Sequence, residues 1–347
     1  MFRAPQLPRT LEAALRDVTD KKPAVRADAV RDLVRHGAGE ARIVRALEAA
    51  LRDPAGVVRA AAAIGLADVG AENALPSLLM AVEDDDDHVR QMAITALGEL
   101  GDPRATERLR RALSDRRPEV RFQAAIAFPR VCASRADAIE ALVQATADRD
   151  PLVCHIALRM AEELGDDRPA KGVVDRTLLE RARELCDHAS PLVRVAAAII
   201  TARAGESAGH RVLEQVARGE IETTDGEDMA AAIELAGELG MESARPALER
   251  RAFGGALALR RDRFAWHARV ALARMGHERA IREIVGELRS WSRDRRTLAV
   301  AAAGRARITS ARALIASMRG DADRADTDAV DEALAALDAG APADADA

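Results

Sequence analysis

An alanine recurs at one place in a phrase that returns along the whole chain. In Val89-Arg90-Gln91-Met92-Ala93, followed by Leu97 and Gly101, Arg90 serves as the anchor and Ala93 stands three residues on. The frame repeats as Val25-Arg26…Ala29…Leu33…Gly37, as Val58-Arg59…Ala62…Leu66…Gly70 and as Val193-Arg194…Ala197…Gly205. Counted this way the alanines are Ala29, Ala62, Ala93, Ala124, Ala157, Ala197, Ala232, Ala268 and Ala299, at steps of 31 to 40 residues. A period in that range belongs to chains that stack supersecondary units. Each unit then packs on its neighbours, so 347 residues need no single large core.

Residues 71–101 show how one unit is built. Leu75 to Val82 places apolar residues at helical spacing and predicts a first helix. Asp84 to Asp87 is the turn. Val89 to Leu100 is a second helix, and Gly101 ends it, because glycine takes the left-handed conformation after a helix without a Cβ penalty. Acids that complement a helix dipole open the next unit, as Asp102 does. Pro23, Pro118, Pro151 and Pro191 stand three residues before their anchors, in a first turn that tolerates proline. Asp150 and Ser190 precede two of them as N-caps. The alanine marks where helices come closest; a larger side chain there overpacks by about 1–3 kcal/mol. Asp20, Asp53, Asp84 and Asp115 lie six residues before an anchor arginine. Asp and Arg in that pattern predict a ladder between successive units, setting register more than bulk stability.

The phrase Asp-x-x-Pro-x-Val-Arg-x-x-Ala-x-x-x-Leu-x-x-x-Gly resembles the HEAT-repeat family, in the short bacterial variety first named for phycobilisome lyases. The resemblance covers roughly residues 10–320 and weakens where Cys154 replaces Arg, Asp228 and Arg295 replace Val, and Cys132 replaces Gly. It implies an all-α fold: a right-handed, HEAT/ARM-like superhelix, an α-solenoid of about nine helical hairpins. The expected organisation is an irregular lead-in over residues 1–10, one solenoid over 11–340 and a disordered acidic tail over 341–347. Three inserted lengths interrupt the period, at 166–187, 219–228 and 253–263.

Composition agrees with thin layers of small residues. Aromatics are 2% and tyrosine is absent, so Ala, Leu, Val and Ile fill the core. Three cysteines, Cys132, Cys154 and Cys186, form neither a disulfide framework nor a zinc motif and point to a reducing compartment. No apolar signal core opens the chain, and no stretch approaches the ~20 residues that span a bilayer. The expectation is a cytoplasmic, bacterial, monomeric protein without cofactor or metal. Net charge is −5, yet charge is segregated. Residues 245–319 carry 18 Arg against 6 acids, whereas 320–347 carry one Arg against nine.

In the resembled family the second helices line the concave face. Positions one, five and nine after each anchor form one helical stripe. That stripe sets Phe122, Ile126, Val195 and Ile199 beside Arg130, Arg159 and Arg203, with His155, Trp266 and Arg274 in the same positions of other units. Apolar and arginine anchors together make up interaction hot spots. The leading expectation is therefore a non-catalytic scaffold that binds a protein partner through Phe122, Ile126, Arg130, His155, Arg159, Arg203, Trp266 and Arg274.

The alternative is a polyanion or nucleic-acid binder using residues 245–319, where Trp266, Trp291, Phe253 and Phe264 gather. A third reading, a lyase or hydroxylase, comes from resemblance alone. Deoxyhypusine hydroxylase resembles this repeat and holds two irons with His-Glu pairs one and two residues after the anchor. Here those positions read Gln91-Met92, Phe122-Gln123, His155-Ile156, Val195-Ala196 and Trp266-His267; the lone His277-Glu278 falls in a turn between repeats. Asp84 to Asp87 reads as a helix-capping turn rather than a cation site. Cys154 and His155 are adjacent on a helix and point about 100° apart, so they do not form a nucleophile pair.

Overall fold

The computed structural model describes residues 9–37, 41–166, 174–254 and 262–339. Most of the expected lead-in, the tail from residue 340, and parts of the first and third insertions (167–173 and 255–261) lie outside them. The described residues are all-α, with twenty α-helices, four single-turn 3-10 helices and no strand. They gather into two compact units, Met1–Arg181 and Ala182–Ala347.

The first unit pairs α1 (Leu11–Asp17) with α2 (Pro23–Arg35), α3 (Ala41–Ala50) with α4 (Gly56–Asp68), and α5 (Leu75–Ala81) with α6 (Asp87–Leu100). It continues with α7 (Thr106–Ala112) and α8 (Pro118–Val131), then α9 (Arg135–Ala145) and α10 (Pro151–Asp166). The division between the units falls inside α11 (Arg176–Leu185). The second unit then holds α12 (Pro191–Arg203), α13 (His210–Arg218) with α14 (Gly226–Glu238), and α15 (Arg245–Phe253) with α16 (Ala265–Arg274). It closes with α17 (Glu278–Glu287) and α18 (Arg293–Arg305), then α19 (Arg312–Ala316) and α20 (Thr327–Asp338). Second helices stack in file: α2, α4, α6, α8 and α10 in one unit, α12, α14, α16, α18 and α20 in the other. The last helix buries Val330, Ala333, Leu334 and Leu337 and closes its file.

All nine repeat alanines are fully buried. Glycines eight residues after an anchor bring the helices closer still. A Cβ on Gly237 would lie 2.4 Å from the Cα of Ala271, and one on Gly304 would lie 2.6 Å from that of Ala333. Gly98 meets Ala127 in the same way. Each glycine therefore sits where the backbone of one second helix touches the next. Gly101 adopts φ 65° at its helix end. Arg307 holds the equivalent position in its repeat with φ 53°, the one non-glycine residue at positive φ among the described residues.

The expected ladder is present in the first unit. Arg26 donates Nε and Nη2 to the Asp53 carboxylate, both at 2.6 Å. Arg59 meets Asp84 at 2.8 and 2.7 Å, Arg90 meets Asp115 at 2.9 and 3.0 Å, and Arg121 meets Asp148 at 2.5 and 2.8 Å. The third nitrogen of each guanidinium donates back to its own hairpin turn, at the carbonyls of Asp20, Asp53, Asp84 and Asp115. Each accepting aspartate also takes the backbone N–H two residues on, those of Ala55, Asp86, Arg117 and Asp150. Desolvation pushes these carboxyls upward. The hydrogen bonds from guanidinium and turn, with Coulomb attraction, outweigh it and hold all four below the usual carboxylate range.

The ladder stops at Cys154, which is buried at the fifth anchor. In the second unit Arg194 and Arg296 keep the bond to their own turn, at His188 O and Ser290 O. Arg296 then reaches the carbonyls of Arg324 and Asp323 in place of a carboxylate. Asp150 caps α10 through Leu152 N. Ser190 does not cap α12 with its side chain; its own N–H donates to His188 Nδ1, which stands where other turns have Asp. The Asp84 to Asp87 turn is occupied from both sides. Asp84 receives Arg59, Asp87 pairs with Arg117 at 2.9 Å, and Asp86 caps α6 through His88 N. The acidic loop expected over 219–228 is shorter, because Asp225 caps α14 and Glu227 and Asp228 already belong to that helix.

Candidate functional site

Four successive second helices of the second unit bring side chains of both signs to one open cavity of about 470 Å³. Arg203 comes from α12, Glu227, Glu234 and Glu238 from α14, His267 and Arg274 from α16, and Arg305 from α18. Ala230, Ala231 and Leu235 give it an apolar floor. The periodicity explains the convergence: the lining charges sit mostly five or nine residues after successive anchors, and these positions share a helix face.

Glu234 Oε1 lies 2.6 Å from His267 Nδ1 and 3.0 Å from Arg305 Nη1. A carboxylate oxygen only accepts, so Nδ1 carries the hydrogen in this arrangement. Arg274 meets Glu238 at 2.9 Å and donates Nε to the Arg305 carbonyl at 2.7 Å, bracing the end of α18. Three arginines thus face three glutamates, and the cavity is close to charge balance before His267 is counted.

The corresponding face of the first unit is different. Phe122 and Ile126 are half-buried on successive turns of α8, with Arg130 exposed one turn further. Glu99 stands in the same position of α6. Desolvation pushes its carboxyl above the usual range, Asp68 of α4 adds repulsion, and Arg130 opposes both. On α10, His155 is only 8% exposed. Half-buried Arg159 pairs with buried Glu162 at 2.5 Å.

Val195 and Ile199 were expected on an outward stripe; both are fully buried in the core of the second unit. Their helix packs against α13 and α14. Trp266 is half-buried against the same core, its indole N–H lacks an acceptor, and Arg269 lies 5.6 Å over its ring. Of the residues singled out by sequence, Arg203 and Arg274 therefore share one cavity, and Phe122, Ile126 and Arg130 share one helix face. Glu234 and His267 were not singled out. Their signal was the alternation of acid and base across successive repeats: Glu234 and Glu238 are followed by Arg274 and Arg305.

The HEAT-repeat family model matches residues 7–91, 43–128 and 80–161. Residues 7–161 are therefore HEAT repeats. No curated protein matches the chain by sequence. Among solved structures the chain is similar to YibA of E. coli, at 20% identity and a TM-score of 0.57, over 76% of this chain and 92% of that one. It also matches the CpcE–CpcF complex of phycocyanin lyase from Nostoc sp. PCC7120, at 21% identity and a TM-score of 0.35, over 81% and 96% of the two chains. Human deoxyhypusine hydroxylase matches at 20% identity and a TM-score of 0.33, over 85% and 95%. The first likeness concerns the fold; the two enzymes are too distant in structure to bear on activity.

Among the described residues most arginines of 245–319 are paired rather than free. Arg245, Arg251, Arg274, Arg282 and Arg305 pair with acids of the second unit, and Arg269 and Arg279 share Glu283. Arg312 and Arg319 pair with Asp338 and Asp331 of the acidic last helix. The aromatic residues do not share a surface: Phe264 is buried, Phe253 and Trp266 are half-buried, and Trp291 is exposed. Burial pushes the Cys154 thiol up to about 11, which leaves it a poor nucleophile. Among the described residues no helix is long and apolar enough to cross a membrane.

Proposed function

We propose that the chain is a non-catalytic scaffold or adaptor that holds a protein partner on the face formed by its second helices. The observation that carries this reading is the charge-balanced cavity of the second unit, where Arg203, Arg274 and Arg305 face Glu227, Glu234 and Glu238 above an apolar floor. Mixed charge of that kind complements the side chains of a polypeptide, which carry both signs. A polyanion would meet a repelling carboxylate beside every arginine. Phe122, Ile126 and Arg130 offer an aromatic, an aliphatic and an arginine contact on the first unit, and Arg159 and Trp266 flank the two faces as further contacts. His155 supports its helix from within. The working form in this reading is a cytoplasmic monomer whose 11–340 segment acts as one binding scaffold.

The test is affinity capture with the full chain and three charge-reversed variants. Arg203→Glu with Arg305→Glu alters the cavity, and Arg130→Glu with Arg159→Glu alters the first-unit face. Arg176→Glu reverses a 92% exposed side chain elsewhere. Loss of a reproducible partner in the first variant, the second or both, with retention in the third, is the expected result. Equal recovery across all of them overturns the assignment of the face.

A further inference from the structure

Trp291 stands in the turn between α17 and α18 with its side chain fully exposed (101%). Among the described residues every other tryptophan or phenylalanine is buried or half-buried. An open cavity of about 660 Å³ lies beside it, lined by Arg269, Glu287, Arg289, Ser290, Ser292 and Arg295 among others. Glu283, also on the lining, is engaged by Arg269 at 3.1 Å and by Arg279 at 3.0 Å. Arg289 and Arg295 are exposed, and their guanidinium groups have neither a hydrogen-bond nor an ion-pair partner among the described residues. Most other described arginines of this segment are paired, Arg250 and Arg307 apart, so two of its free guanidinium groups stand at the rim of this turn.

The neighbours of the ring decide the kind of partner. A protein hot spot buries its central aromatic in a packed pocket ringed by contacts that keep water out. Trp291 has Ser290 and Ser292 on either side and arginines beyond them. Such a ring gains by stacking against another flat surface, and the adjacent guanidinium groups call for anionic oxygens on the same ligand. Bases joined by phosphates meet both demands at short range.

We propose that the Ser290-Trp291-Ser292 turn is a single-stranded nucleic-acid contact, with one base stacked on Trp291 and the flanking phosphates on Arg289 and Arg295. Sequence preference is weak, because every base has a face to stack. A duplex binds less well, since its bases are already stacked on one another.

The experiment titrates the full chain with a fifteen-nucleotide oligo(dT) and follows tryptophan emission. Quenching at low salt is expected. Trp291→Ala abolishes the quenching and weakens binding about tenfold, whereas Trp291→Phe retains most of the affinity. Arg289→Ala with Arg295→Ala lowers the slope of log affinity against log salt by about 1.4, as for two phosphates of a single strand. Heparin supplies charge without bases, and poly-glutamate supplies carboxylates on a polypeptide. No quenching by the oligonucleotide, or an unchanged affinity in Trp291→Ala, overturns the proposal. So does poly-glutamate that quenches as deeply and competes equally, because the turn would then be an acidic-protein contact.

Discussion

Arg90 clasps the turn of the following hairpin, with Nε and Nη2 at 2.9 and 3.0 Å from the two carboxylate oxygens of Asp115. Its Nη1 meanwhile holds the Asp84 carbonyl of its own turn at 2.8 Å. One side chain therefore spans two hairpins, and it is only 5% exposed. Hydrogen bonds to charged, partly buried groups contribute more than exposed ion pairs do.

Removing either partner of that rung leaves the other unmatched. Arg90→Ala and Asp115→Asn are each expected to destabilise by about 2 kcal/mol. The double variant should lose less than the sum, by about 1 kcal/mol. Urea midpoints of the four proteins measure it; strict additivity would mean that the contact does not couple the hairpins.

Acid should loosen the first unit through the same groups. The folded-state carboxyls of Asp53, Asp84, Asp115 and Asp148 titrate below the usual range, so their contribution is complete above the unfolded value of about 3.9. It is lost as pH falls through the lower folded values. A series of urea midpoints from pH 7 to pH 2.5 should show a fall confined to the acid end. Asp115→Asn should flatten part of that fall, and a slope of equal steepness would contradict the assignment.

Glycines inside helices should divide by what a methyl group would meet. Gly237→Ala places Cβ 2.4 Å from the Ala271 backbone, and overpacking of this kind costs about 1–3 kcal/mol. Gly286→Ala on α17 meets nothing within 4 Å and should stabilise by up to about 1 kcal/mol. Thermal melting of the two variants should move in opposite directions.

Arg307 holds a left-handed conformation that six other repeats give to glycine, at Gly37, Gly70, Gly101, Gly205, Gly240 and Gly276. Arg307→Gly relieves a Cβ clash of about 1–2 kcal/mol, and the added freedom of the unfolded chain returns part of it. A net gain of about 0.5–1 kcal/mol is expected. A lower melting temperature would show that the arginine side chain makes a compensating contact.

Thiol accessibility should follow burial. Cys154 and Cys186 are buried, whereas Cys132 is partly exposed. Iodoacetamide at pH 8 on native protein should modify Cys132 first, and peptide mass spectrometry should find Cys154 unmodified until unfolding. Early labelling of Cys154 would contradict its enclosure.

The repeat was legible because a methyl group at a helix contact is a local demand, renewed in every hairpin. The ladder was legible too, since Asp and its anchor Arg keep one spacing. Glycine eight residues after the anchor passed unread, because within a helix it resembles a mere weakness until the neighbouring backbone is seen. Val195 and Ile199 could not be separated from outward residues by period alone. Whether a stripe is open depends on what the adjacent hairpins cover. Arg203 and Arg274 could be picked from the stripe, but the cavity they share required the relative placement of α12, α14, α16 and α18. The arginine-rich segment needed geometry in the same manner: composition counts charges, and only geometry shows which are already paired.

Each rung points one way, from an arginine to the aspartate that closes the next turn. A hairpin whose turn has come apart gives its predecessor nothing to grip, so opening is passed backward along the file and closure reinforces itself in the same sense. Cys154 carries no guanidinium, and this one-way relay ends with Arg121 and Asp148.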